Sequence, residues 1–347
     1  MAKTTKEIAI GAVRIGGGNR VAIQSMTNTD TKDVAATVSQ IHALTDAGCE
    51  IIRCAIYDME CADALSNIKD AIHIPLVADI HFDHRIAVAA IEKGADKVRI
   101  NPGNIGGKKE ILEVVRAALD YGVPIRVGAN SGSLPKDISD KHGNTAQALV
   151  EGAMRNVEIL EEAGFDKIVV SLKSSDARVC RDAYKMIAEM TGYPLHLGVT
   201  EAGTYTDASI KSAIGLGALL LDGIGDTIRV SITGDPVREI GVAKKILQFC
   251  GERREGAEII SCPTCARCTL DIEKLAEQVA DYTRNIPKPI KIAVMGCVVN
   301  GPGEAREADA GVAGGGGYGV LFLRGAVIKK VHEKDLFEEL KKLIDQL

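Results

Sequence analysis

The chain has 347 residues, with 42 Lys plus Arg against 47 Asp plus Glu and a formal charge of −5. At about 150 residues per domain this length suggests two domains, and the acidic balance argues against the basic face that a phosphate backbone demands. The N-terminal MAKTTKEIAI lacks the apolar core of a signal peptide. The longest apolar stretch, Ile214 to Leu221, is far short of the roughly 18 residues of a membrane span. The expectation is a cytoplasmic protein with neither a membrane nor a nucleic-acid partner.

The first 250 residues repeat one rhythm, in which a helical segment ends in glycine and an apolar strand follows. It recurs at DAGCEIIRC, EKGADKVRI, DYGVPIRVG, EAGFDKIVVSL and TGYPLHLGV. Gly48, Gly94, Gly122, Gly164 and Gly192 stand where a helix ends in a left-handed residue. The helices before them are amphipathic: Val34, Val38, Ile41 and Leu44 form one stripe, and Ile111, Val114, Val115 and Leu119 another. Eight strands follow from this reading, at 21–24, 51–54, 76–79, 97–100, 124–128, 168–172, 195–199 and 228–232. Short apolar strands separated by helices are parallel and buried on both faces, and eight such units predict a (β/α)8 TIM-type barrel. SGSLPKDISDKHGNT reads as an exposed inserted loop.

The pattern changes at GERREGAE, a charged linker, which divides the chain into a barrel over 1–257 and a small α+β domain over 258–347. In the second domain the sequence predicts a helix over 271–284, an isolated strand over 290–295, a strand pair at 319–323 and 326–329, and a final helix over 333–346. AGGGGYG lacks the GK[ST] of a phosphate-binding loop and reads as a hairpin turn or loop.

In a TIM-type barrel, chemistry gathers at the C-terminal strand ends. Arg53, Arg99, Arg126, Lys173 and Arg229 fall there, with Asn101, Asn130 and Ser231 beside them. Each alone is equally well a structural ion-pair partner, but five cations on one rim form a positive bowl suited to a polyanionic small molecule. Asp79, His81 and Glu201 share the rim as candidates for proton transfer.

Of nine cysteines, Cys49, Cys54, Cys61, Cys180 and Cys250 read as small buried hydrophobes. Cys262, Cys265 and Cys268 form C-x2-C-x2-C, and Cys297 opens CVVNGPGEA. Without a second CxxC or a nearby histidine this spacing favours an iron–sulfur cluster over zinc, although a zinc-stabilised barrel lyase or phosphatase acting on a sugar phosphate stays open, as does a non-enzymatic iron–sulfur carrier. Gly296, Gly301, Pro302 and Gly303 allow backbone to approach a cluster closely.

CPTCAR, MGCVVNGPGEA, TEAG, IGLGALLLDGIGDTIRVS, VRINPGNIG and QSMTNTDT resemble the 4-hydroxy-3-methylbut-2-enyl diphosphate synthase family of the non-mevalonate isoprenoid pathway, in its short two-domain bacterial form. The resemblance runs from about residue 8 to the end. It implies reductive ring opening of 2-C-methyl-D-erythritol 2,4-cyclodiphosphate to the linear diphosphate and water, with electrons passing singly from reduced flavodoxin or ferredoxin through a [4Fe–4S] cluster. It further implies that Cys262, Cys265, Cys297 and Glu304 ligate the cluster, and that the chain works as a head-to-tail homodimer. Cys268 departs from the family pattern, which often has another residue there.

Overall fold

The structure, a computed structural model, describes residues 4–268, 270–284, 286–297, 303 and 305–347. The chain divides after Arg253 into two compact units.

The first unit opens with an antiparallel hairpin, β1 (Ile8–Ile10) and β2 (Val13–Ile15). Eight parallel strands follow: β3 (Ala22–Met26), β4 (Ile51–Ala55), β5 (Leu76–Asp79), β6 (Lys97–Arg99), β7 (Ile125–Asn130), β8 (Ile168–Lys173), β9 (His196–Leu197) and β10 (Thr227–Ile228). They pair in the order β8-β7-β6-β5-β4-β3-β10-β9, and a parallel bridge from Val170 to Leu195 joins the two ends into a barrel. The helices α1 (Val34–Ala47), α2 (Met59–Ala71), α3 (His84–Glu92), α4 (Lys108–Asp120), α5 (Lys136–His142), α6 (Ala146–Glu162), α7 (Ala177–Met190), α8 (Tyr205–Leu221) and α9 (Val237–Phe249) lie between and after the strands.

Local chemistry sets these boundaries. Asp33, Asp58, Asp83 and Asp176 each accept a hydrogen bond from a backbone N–H in the first turn of α1, α2, α3 and α7. Such caps satisfy donors that the helix itself leaves unpaired. Gly48, Gly94, Gly122 and Gly164 have the positive φ expected of them, but Gly192 does not. Here α7 runs into extended Thr191, whose hydroxyl accepts from Tyr193 N at 3.2 Å, so a threonine-centred turn replaces the left-handed residue. The segment expected as an inserted loop instead forms a 3-10 turn (Ser131–Ser133) and α5, because Ile138 gives it an anchor in the core.

The last two barrel strands are two residues long rather than five. Arg229 N still donates to Leu197 O at 2.9 Å, but beyond this point polar rim residues take over from the ladder. The barrel axis is layered. At its N-terminal end Ala22, Ile51, Val77 and Val169 pack against Ile8, Ile10 and Ile15 of the hairpin, which the rhythm of the sequence did not reveal. Above them lies a buried polar layer containing Gln24, Lys97, His196 and Thr227.

In the second unit β11 (Ala257–Ser261), β12 (Ile290–Met295), β13 (Ala310–Gly315), β14 (Tyr318–Leu323) and β15 (Ala326–His332) form one sheet in that order. The first three are parallel and the last two antiparallel. The strand expected to be isolated is therefore flanked on both sides. Its neighbours were hidden because β11 begins inside the charged GERREGAE stretch and β13 runs through AGVAGG. Gly316 and Gly317, with φ of 65° and 82°, make the β13–β14 hairpin turn. The helices α10 (Ile272–Thr283) and α11 (Leu336–Ile344) contribute Leu275, Val279, Leu336 and Leu340 to a core shared with Ile292, Val294 and Val312.

Ile10 is fully buried in the barrel floor. Ile10→Ala is expected to destabilise the chain by about 2–5 kcal/mol, read as a lower urea midpoint at constant slope. An unchanged midpoint would show that the hairpin lies outside the cooperative unit.

Candidate functional site

The barrel mouth follows from strand periodicity. Side chains alternate between the barrel interior and the helices, so Lys97 and Arg99 on β6, and Arg53 on β4, point along the same interior. Register places Arg99 beside Arg126 and Asp79 beside Arg99. The five rim cations do come together: Arg53, Arg126, Arg229 and Arg99 all bear electrostatically on Lys173. Gly198 leaves room for this, since a Cβ there would lie 3.3 Å from Arg229 O and 3.6 Å from the Lys173 Cε.

Two carboxylates oppose them. Asp79 lies 3.1 Å from Arg99 and 3.7 Å from Arg53. Burial alone would raise its carboxyl, but Arg53, a hydrogen bond with His81, and the charges of Arg99 and Arg126 hold it well below the usual carboxylate range. Asp79 is thus an ionised counter-ion with no proton to give. The second carboxylate, Glu239 on α9, was not apparent from sequence. It accepts from Ser25 Oγ at 2.9 Å, from Ile232 N at 3.1 Å, and from Arg229 at 3.3 Å. Only its place in the first turn of the helix after β10 set it apart from other exposed-looking acids. Between these pairs Met26 Sδ accepts from Arg53 Nη2 at 2.8 Å and from Arg229 Nη1 at 3.6 Å.

Arg126 feels Asp79 only electrostatically. Its side chain is 1 % exposed and, among the described residues, its Nε and Nη1 have no hydrogen-bond partner. Burial, then Arg53 and Arg99, push its guanidinium well below the usual arginine range against the pull of Asp79, while burial with Arg229 and Arg99, opposed by Asp79 and Glu239, brings Arg53 down to about 10. A buried cation with unpaired donors is costly, and an anion at the mouth lowers that cost. Below it Lys97 is fully buried with Gln24 Oε1 at 3.2 Å, and His196 Nδ1 shares a 2.7 Å hydrogen bond with Thr227 Oγ1. Alternation from Arg99 back to Lys97 was the sequence signal for this layer.

The remaining rim residues take different positions. Arg99, Asn101 and Asn130 line a cavity of about 380 Å3. Both asparagines use their side-chain oxygen to accept a backbone N–H two residues on, at 3.2 Å. His81 is largely exposed and within 2.8 Å of Arg99 Nη1. Ser231 is half-buried just past β10. Glu201 is exposed and holds φ at +53°, a conformation that costs a non-glycine residue about 1 kcal/mol or more and clusters at functional sites.

In the second unit Cys262, Cys265, Cys268 and Cys297 all line one cavity of about 350 Å3 at the C-terminal ends of β11 and β12. Among the described residues none of the four cysteines is in a disulfide. Gly296 N donates to Cys262 Sγ at 3.2 Å, and a Cβ on Gly296 would collide with Cys268 Sγ. Among the described residues, no three His, Cys, Asp or Glu side chains converge on a single ion position. An open cavity lined by thiols, backbone N–H directed at sulfur, and a glycine where backbone must come close fit an iron–sulfur cluster. Glu304 lies outside the described residues.

Comparison with known proteins gives two matches that together cover both units: the GcpE TIM-barrel domain over residues 5–244 and the GcpE protein C-terminal domain over 258–346. The chain belongs to the GcpE family. Among GcpE relatives, it is 55% identical over 346 residues to the 4-hydroxy-3-methylbut-2-en-1-yl diphosphate synthase (flavodoxin) of Clostridium perfringens, covering 99% of each. It is likewise 55% identical over 348 residues to the enzyme of that name from Caldanaerobacter subterraneus subsp. tengcongensis, covering all of this chain and 98% of that one. Among solved structures, the dihydropteroate synthase of Yersinia pestis matches 71% of this chain and 99% of its own at TM-score 0.52 and 12% identity, which speaks for the fold alone. No helix among the described residues is long and apolar enough to cross a membrane.

Arg126→Ala should weaken pyrophosphate binding about ten- to a hundredfold, the worth of one charge-assisted contact of about 1.5–3 kcal/mol, in titration calorimetry. Equal affinity in the variant would take Arg126 out of the site.

Proposed function

We propose that this GcpE chain is a 4-hydroxy-3-methylbut-2-enyl diphosphate synthase. It opens the ring of 2-C-methyl-D-erythritol 2,4-cyclodiphosphate reductively, consuming two electrons and two protons and releasing the linear diphosphate and water. The observation that carries this reading is the buried Arg126 guanidinium, two of whose nitrogens have no hydrogen-bond partner among the described residues, in a ring of cations in a chain that also carries a four-cysteine cavity. A simple electron carrier would have no use for that ring. Near full-length identity to enzymes of this name supports the same reading.

In this proposal Arg53, Arg99, Arg126, Lys173 and Arg229 hold the diphosphate, and Asn101, Asn130 and Ser231 orient it. The half-buried Lys173 ammonium is pushed well below the usual lysine range by burial and by Arg53, Arg126, Arg229 and Arg99. A bound polyanion reverses the electrostatic part of that effect and brings the lysine back to full charge. Glu201 donates the proton with which the departing hydroxyl leaves as water. His81, beside Arg99 and Asp79, is the second proton-transfer candidate.

Cys262, Cys265 and Cys297 would hold three irons of a [4Fe–4S] cluster, and the family resemblance assigns the fourth to Glu304. When bound, the cluster supplies low-potential electrons one at a time. Reduced flavodoxin, which the relatives' names specify, is the proposed donor, with ferredoxin as the alternative. The working unit is a homodimer in the cytoplasm.

Glu201→Gln should bind the cyclic diphosphate with unchanged affinity while turnover falls at least a hundredfold, within the range of one general acid. Normal turnover would clear Glu201 of the role. Anaerobically purified protein should be brown and carry iron and sulfide. Colourless protein with one zinc would overturn the cluster reading.

A further inference from the structure

We infer that Glu239 is a positioning residue for the barrel mouth: anchored on two other parts of the chain, its carboxylate aims the Arg229 guanidinium at the bound anion. This rests on the proposed diphosphate-holding role of Arg229 and deepens it with a residue that works through another.

Glu239 lies in the first turn of α9 and is almost wholly buried. Each of its oxygens accepts twice. Oε2 accepts from Ser25 Oγ at 2.9 Å and from Arg229 Nε at 3.3 Å, while Oε1 accepts from Ile232 N at 3.1 Å and from Arg229 Nη2 at 3.3 Å. The two contacts to Arg229 use one edge of the guanidinium as a bidentate pair, which sets the plane of the group as well as its place. Its Nη1 is thereby turned toward Met26 Sδ, 3.6 Å away, a sulfur that also accepts from Arg53 Nη2 at 2.8 Å. One carboxylate thus holds Arg229 in line with a second rim cation.

The other two contacts explain how the carboxylate can do this. Ser25 belongs to β3, the strand paired with β10, and Ile232 follows β10. Glu239 is therefore fixed from both sides of the strand end that carries Arg229. A carboxylate present only to neutralise Arg229 has no use for a hydroxyl and a backbone N–H. Charge alone also works in the opposite sense, since an acid beside the mouth repels an anion and its removal would tighten binding. An arginine released from this contact keeps its charge but gains rotamer freedom, and binding the anion must then order it. The two roles give opposite signs to the same measurement.

The test titrates pyrophosphate into the full-length chain by calorimetry, comparing Glu239→Gln in the wild-type and Arg229→Ala backgrounds, with the urea midpoint as the check on folding. Glu239→Gln should weaken binding about tenfold in the wild-type background, within the range of coupled neighbours, and by less than about twofold once Arg229 is gone. In the iron-loaded enzyme the same variant should raise KM for the cyclic diphosphate by a similar factor and leave kcat within about twofold. Tighter or unchanged binding, or an equal loss in both backgrounds, overturns the inference, as does a fall in kcat at unchanged KM. If Glu239→Gln does not fold, Ser25→Ala decides, because it loosens the anchor but keeps both the carboxylate and Arg229. It should weaken binding about threefold, and only where Arg229 is present; unchanged affinity overturns the inference. A wild type with no affinity for pyrophosphate overturns the proposed diphosphate site itself, a result distinct from all of these.

Discussion

The barrel is organised around a repulsion. Five cations share one mouth with two carboxylates, and both carboxylates are already engaged, Asp79 by Arg53 and Arg99 and Glu239 by Arg229. Arg126 is left buried among like charges with two donor atoms unpaired. Strong barrel packing elsewhere sustains that arrangement, because a buried cation with unpaired donors opposes folding. The apolar shell of helices and the sealed floor supply the surplus, and the mouth is where it is spent.

Much of this was legible in the sequence because one local rule recurs five times along the eight-stranded barrel. A glycine after an amphipathic helix and a short apolar strand after the glycine gave nearly every element between residues 30 and 190. The rule failed where side-chain chemistry replaces backbone geometry. Thr191 ends α7 through its hydroxyl, so Gly192 has no left-handed turn to make. Ile138 turns a polar segment into a helix with one buried residue. The rim cations were visible because they sit at strand ends, but Glu239 was not, since Ser25, which donates to it, lies 214 positions earlier on β3. Long-range pairing of this kind leaves no periodic trace.

The second unit shows the opposite balance. Its cysteine spacing spoke for the chemistry before any fold was known, whereas its sheet was half hidden. Strands β11 and β13 are written in charged and glycine-rich sequence that composition assigns to linkers and loops. Glycine serves tight packing here: Cβ atoms on Gly311 and Gly314 would strike Phe322 and Leu270, so their absence is what lets β13 lie flat among its neighbours. Gly296 follows the same rule, with a cysteine sulfur as the close neighbour.

The hairpin under the barrel has an electrostatic consequence. Ile8, Ile10 and Ile15 close the floor with hydrocarbon, and the surrounding strands and helices are apolar as well. A low-dielectric wall on every side but one bends field lines out through the opening. The positive charge of the interior therefore projects into solvent as a narrow beam, in a molecule whose net charge is negative. An anion approaching the mouth is drawn inward over about a Debye length, roughly 8 Å at physiological salt. A few isoleucines that touch no ligand thus give the molecule a direction.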